Sequence, residues 1–143
     1  MSKERKLLKI ICFLYVLDAI AFLVFGGIML AGMSLLDPAD TVAVGGIDFN
    51  LQAWSIIFGI WGIVSGIFYL IYAFAGIRGA NTPRKIGPFR VMSLVAVIFA
   101  VIGMLLGVAL DGVSTDTVLY VVSLVFAIAC FVLSGKIKEQ AER

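Results

Sequence analysis

Residues 7–36 read LLKIICFLYVLDAIAFLVFGGIMLAGMSLL, and this stretch decides the fold. It is apolar throughout except for Lys9 near its start and Asp18 in its middle. A helix needs about 20 apolar residues to cross a hydrocarbon core roughly 30 Å thick, so the stretch predicts a tilted membrane span. Its apolar core is about twice as long as that of a secretory signal, which favours a retained helix.

Three further apolar runs follow, and together the four predict spans at about 7–36, 53–77, 89–110 and 117–135. Hydrophobic residues make up 62% of the 143 residues and charged residues only 14%. Soluble domains have roughly 45–50% apolar residues, so a soluble fold could not cover this surface. We therefore expect an all-α membrane protein, with residues 1–143 forming one four-helix transmembrane domain.

Charge separates the chain ends and loops into two classes. All eleven Lys and Arg lie in the N-terminal segment, between residues 78 and 90, or in the C-terminal segment. The other two loops contain Asp but no Lys or Arg. Because basic loops are retained in the cytoplasm, we expect both termini to be cytoplasmic in a multi-pass protein of the cell (plasma) membrane.

The first outer loop, residues 36–52, contains two short strand-like runs on either side of Gly45-Gly46. A Gly-Gly pair between β-prone runs is typical of a tight hairpin turn. The sequence thus predicts a small β-hairpin at the outer end of the bundle.

Small residues recur every three or four positions along the helices. This spacing keeps one face of each helix towards a partner and predicts left-handed, antiparallel packing across small side chains. An alternative is that the Gly62/Gly66 and Gly103/Gly107 pairs form a dimer face. The stripe of the first helix is less regular, with Cys12, Tyr15, Ala19 and Gly26. The packing residues on the other three helices are Gly59, Gly62, Gly66, Ala100, Gly103, Gly107 and Ala127.

Asp18 is the one ionisable side chain predicted to lie deep within a span. It follows the inner end of its helix by about eleven residues, or ~16 Å, which is near the bilayer midplane. The chain has no His, and its Lys and Arg lie at other depths, so Asp18 is either neutral or paired with a bound cation. Ser65, Tyr69 and Ser123 are expected at a similar level, as hydrogen-bond partners or as parts of an ion- or proton-coupling site.

The basic residues Arg78, Arg84, Lys85 and Arg90 cluster in one short segment. Near a membrane surface each such charge attracts anionic lipid headgroups with about 1 kcal/mol. We therefore expect contact with anionic lipid at the cytoplasmic face.

Sequence patterns of catalysis are scarce. The chain has no His, no Cys-x-x-Cys pair and no Gly-rich phosphate loop, which argues against an enzyme, a cofactor or a metal site. A nucleic-acid role would need a folded basic domain, and the sequence contains none, so we expect no nucleic-acid partner. We expect a structural or accessory protein that forms homo-oligomers or binds another membrane protein. The alternative is a small proton- or cation-coupled transporter or channel that uses Asp18.

Four helices with an acid midway along the first resemble, in architecture alone, the small multidrug-resistance transporters. The motifs of that family are not matched here, its acid is glutamate, and its chains are shorter with tighter loops. The sequence therefore assigns the chain to no family.

Overall fold

The computed structural model describes residues 1–143 apart from the side chain of Asp111, and these residues form four long helices and one two-stranded sheet. The elements, in chain order, are α1 (Lys3–Gly32), β1 (Thr41–Val44), β2 (Ile47–Asn50), α2 (Leu51–Asn81), α3 (Gly87–Asp111) and α4 (Thr115–Glu142). Short 3-10 helices, Met33–Leu35 and Pro83–Lys85, follow α1 and α2.

All four helices are long and apolar enough to cross a membrane. The predicted number of long apolar helices is confirmed, and the fold fits an integral multi-pass membrane protein. Helices α2 and α4 are longer than the predicted spans because their polar ends are helical too, up to Asn81 and Glu142. Helix α1 is shifted: it begins earlier, at Lys3, and ends at Gly32, before the predicted end at residue 36, where a 3-10 helix follows.

The polar N-terminal extension of α1 provides hydrogen-bond donors to the last carbonyl groups of α2. The guanidinium of Arg5 donates to the carbonyl oxygens of Ala80 at 2.5 Å and Asn81 at 2.7 Å. Carbonyls in the last turn of a helix have no partner within the helix, so the Arg5 side chain from α1 satisfies them. Basic residues at this end of the chain therefore have a structural role besides any role in orientation.

The chain divides into two compact units, each described here by itself. The first unit comprises residues 1–14 and 71–143, and its buried centre lies around Tyr72. The Tyr72 ring stacks on Phe89 with centroids 4.7 Å apart, and the hydroxyls of Tyr72 and Ser93 share a hydrogen bond of 3.0 Å. Ser93 also donates to the carbonyl of Phe89 at 2.9 Å, so each buried hydroxyl has a partner.

The second unit, residues 15–70, contains the predicted hairpin. Strands β1 and β2 pair antiparallel, with Val42 opposite Phe49. Gly45 and Gly46 between them both have positive φ, 59° and 79°, a conformation that residues other than Gly rarely adopt. The Phe49 ring packs on Trp54 of α2 at 4.9 Å between centroids, so the hairpin is held against the start of that helix.

Asn50 links the hairpin to α2 through both ends of its amide. Its side-chain oxygen accepts from the backbone N–H of Ala53 at 3.0 Å, in the manner of a helix N-cap. Its amide nitrogen donates to the carbonyl of Pro38 at 2.6 Å. The position thus stabilises the helix start and the preceding loop together.

We predict that Asn50→Ala lowers the free energy of unfolding by about 1 kcal/mol, the usual value of an N-cap. The measurement is equilibrium unfolding in mixed micelles of mild detergent and dodecyl sulfate, followed by circular dichroism. Asp48→Asn is the matched control, since Asp48 is exposed on β2. Equal stability of Asn50→Ala and the wild type would contradict the assignment.

Candidate functional site

The second unit is built on a close approach of α1 and α2. A Cβ atom placed on Gly26 would lie 2.7 Å from the carbonyl oxygen of Gly59 and 2.8 Å from the backbone nitrogen of Ile63. A Cβ on Gly62 would lie 3.1 Å from the Cα of Gly26. Backbone atoms cannot move aside as side chains do, so these glycines set the separation of the two helices.

The same contact continues along the helices towards Asp18. A Cβ on Gly66 would lie 2.9 Å from the carbonyl oxygen of Ala19, and Ala19 itself is fully buried. Successive residues of a helix are rotated by about 100°. Asp18, one residue before Ala19, is therefore turned away from α2, and its side chain is exposed.

In the first unit, the predicted small residues pack in a different way. A Cβ on Gly107 would lie 2.8 Å from the ring of Tyr120, while a Cβ on Gly103 would lie 3.8 Å from it. The seam here receives an aromatic ring from α4. Ala127 is buried and Ala100 half-buried.

Tyr69 of α2 packs on the two aromatic residues that flank Asp18 along α1. The Tyr69 ring stacks on Tyr15 and on Phe22, with centroids 5.5 and 5.7 Å apart. We call Tyr15, Tyr69 and Phe22 the aromatic ladder. The structure therefore places a carboxylate at mid-helix beside three stacked rings.

The other residues predicted around the acid are less close. Ser65 lies one turn before Tyr69 on α2 and is half-buried, and the structure gives no hydrogen bond between it and Asp18. Ser123 is exposed on α4, in the first unit. Of the three expected partners, Tyr69 is the one that packs on residues flanking Asp18.

Phe22 was not predicted from the sequence, and Tyr15 was predicted as part of the α1 stripe but not as a neighbour of the acid. Tyr15 and Phe22 lie three residues before and four residues after Asp18, which puts them on either side of the acid along the helix. The spacing of Tyr15 and Phe22 around Asp18 could have indicated this arrangement. Aromatic residues at such spacing are common in apolar helices, so the pattern alone does not predict stacking beside an acid.

Asp18 forms no ion pair with the side chains that the structure describes. The ion pair among them is Lys138 with Glu142, 3.8 Å apart and exposed on α4. The cation nearest to Asp18 on α1 is Lys9, nine residues earlier and so about 14 Å away along the axis. The Asp18 carboxyl is therefore exposed without a cation beside it on α1.

The basic cluster extends from the end of α2, through the 3-10 helix Pro83–Lys85, to the start of α3. Arg78, Arg84 and Lys85 are exposed and available to headgroups. Arg90 is half-buried, with its guanidinium 5.3 Å from the centre of the Phe131 ring, a cation–π contact within the first unit. Arg90 therefore differs from the other three in having a packing role.

Comparisons with family models, curated proteins and solved structures found no match to this chain.

The glycine contacts give a paired prediction. Gly26→Ala should lower the free energy of unfolding by about 1–3 kcal/mol, since the new methyl group meets backbone atoms of α2. Gly27→Ala, at the next position, has nothing within 4 Å of its Cβ and should be neutral or slightly stabilising through helix propensity.

The two variants would be compared by the same micelle unfolding assay and by thermal unfolding in mild detergent. Equal effects of Gly26→Ala and Gly27→Ala would show that the close approach of α1 and α2 is not maintained in solution.

Proposed function

We propose that this chain is a four-span membrane protein with cytoplasmic termini that acts through interactions, as a homo-oligomer or as an accessory subunit of another membrane protein. The observation that carries the proposal is the exposure of Asp18 midway along an apolar helix. Leu17, Ala21 and Phe25 on the same side of α1 are also exposed. This side of the helix is available to a partner.

The energetics of an intramembrane acid support association. Placing Asp at the centre of a membrane helix costs about 2.5–3.5 kcal/mol on insertion scales. Such residues are rare in spans and usually lie against a partner group. Because the Asp18 carboxyl is exposed on α1, contact with a polar or charged group of a second protein would lower the free-energy cost of placing it within the membrane.

Orientation and packing belong to the same proposal. The confinement of all eleven Lys and Arg to the two termini and the 78–90 segment supports cytoplasmic termini and a plasma-membrane location. The three-and-four spacing of small residues supports left-handed, antiparallel packing of the four helices. The exposed Arg78, Arg84 and Lys85 support binding to anionic headgroups.

A proton- or cation-coupled transporter using Asp18 is the second candidate. The aromatic ladder favours it, because stacked rings beside a carboxylate provide a suitable environment for a cation. Against it, Asp18 lines neither of two surface hollows, one beside Pro83 and Lys138 and the other beside Trp61. A coupled substrate would need enclosure, so the interaction role is favoured.

The orientation can be tested with single cysteines in a Cys12→Ala, Cys130→Ala background. We expect Asp48→Cys in the hairpin to react with a membrane-impermeant maleimide on intact cells. Lys85→Cys should react only after lysis. The reverse pattern of labelling would refute cytoplasmic termini.

The interaction role can be tested by native mass measurement in mild detergent, together with proton flux in liposomes. We expect the wild type to form assemblies larger than one chain, with a second copy or with a co-purifying partner, and we expect no flux driven by a panel of cations in either the wild type or Asp18→Asn. Lipid-bound monomers with no co-purifying partner would count against the interaction role. Substrate-dependent proton flux that is lost in Asp18→Asn would favour the transporter instead.

A further inference from the structure

We propose that Asp18 forms an ion pair within the bilayer with a Lys or Arg at mid-depth of a helix from a different membrane protein. The partner helix would pack along the exposed side of α1 that carries Asp18, Ala21 and Phe25, which we call the Asp18 face. The inference rests on the proposed interaction role and names the chemistry of the partner.

The Asp18 face has the geometry of a helix-docking surface. Its three residues are spaced by three and four positions, so they lie in line along α1. Ala21 carries only a methyl group and lets a second backbone come close. Phe25 is 46% exposed and offers apolar contact one turn further along. The carboxyl thus lies beside a small residue, where a partner helix can approach it.

Charge complementarity determines which partner fits. Every Lys and Arg of this chain lies near the ends of its helices or beyond them, whereas Asp18 lies in the middle of α1. A second copy would bring another Asp18 to this surface instead of a cation, and two carboxylates repel one another. A different helix must therefore supply the positive charge. A basic residue at mid-depth of that helix is equally unfavourable alone, and the pair satisfies both groups.

The aromatic ladder adds a second reason for a cation. Tyr69 stacks on Tyr15 and Phe22, which flank Asp18 along α1. Ring faces attract ammonium and guanidinium groups, and the attraction strengthens away from water. A basic side chain reaching Asp18 from a neighbouring helix would therefore also meet half-buried aromatic rings.

A helix fits this surface better than a small cation does. Asp18 is exposed on the side of α1 that is turned away from α2, and it lines neither of the two hollows beside Pro83 and Trp61. A small organic cation bound there would leave the pair facing lipid. A helix brings its own apolar side chains and covers the pair.

The test uses the full chain in phosphatidylcholine vesicles and a synthetic single-span Leu/Ala helix with one Lys at its centre. Association is measured by energy transfer between fluorophores on the two molecules. We expect this peptide to bind the wild type about tenfold more tightly than a matched peptide with Leu at the centre. Asp18→Asn should remove the difference and Asp18→Glu should keep it.

Two further variants separate the ion pair from general polarity and from folding. Leu17→Asn places a polar amide at the adjacent exposed position and should leave the preference for Lys unchanged. Ala21→Leu keeps the carboxyl but fills the docking surface, and it should weaken binding of the Lys peptide. Helicity and unfolding of each variant, measured by circular dichroism, would identify any change caused by misfolding.

Equal binding of the Lys and Leu peptides to the wild type would overturn the inference. So would self-association of the chain that depends on Asp18 while the Lys peptide is ignored, since the partner would then be a second copy. In both cases, assemblies in the native mass measurement would leave the interaction role standing. Monomers with no co-purifying partner in that measurement would refute the interaction role itself.

Discussion

A chain in hydrocarbon must satisfy every backbone N–H and C=O without water, and the rest of this structure depends on that constraint. It requires each crossing to be an unbroken helix, and helices α1 to α4 meet the requirement with long apolar segments. The same apolar surfaces give no hydrophobic drive for helix association, since lipid solvates them well. Cohesion must then come from close backbone contact, as between Gly26 of α1 and Gly59 of α2.

That close contact also determines where Asp18 lies. Because Ala19 is the residue held against Gly66, the rotation of about 100° per residue leaves Asp18 outside the α1–α2 contact. The burial of the α1 stripe against α2 and the exposure of Asp18 therefore have the same geometric cause. Removing the acid from the surface would require rotating α1 and losing the glycine contacts. The packing of the second unit thus maintains a polar group on an apolar surface.

Much of this could be predicted from the sequence. Length and hydropathy predict four long helices, and the Gly45-Gly46 pair predicts the hairpin, because both depend on local chemistry alone. Of the stripe predicted on α1, Cys12, Ala19 and Gly26 are buried. The helix face on which Asp18 lies could not be predicted from the sequence, because the stripe on α1 includes Tyr15 as well as small residues. The stacking of Tyr15 and Phe22 on Tyr69 depends on how α1 and α2 face each other, which no local pattern records.

Across the four helices, the buried share of the span falls as mean hydropathy rises, and the exposed Asp18 is an exception to this trend. Mean hydropathy rises from 2.0 in α2 to 2.8 in α3, while the buried share of the span falls from 28% to 6%. A soluble protein would show the opposite order, since its most apolar helix would be the most buried. Here the least covered helix is the most apolar, as expected where lipid is the solvent. An exposed carboxyl on α1 contradicts the rule at a single position, and a local exception to a trend that holds across four helices is best explained by a contact made at that position.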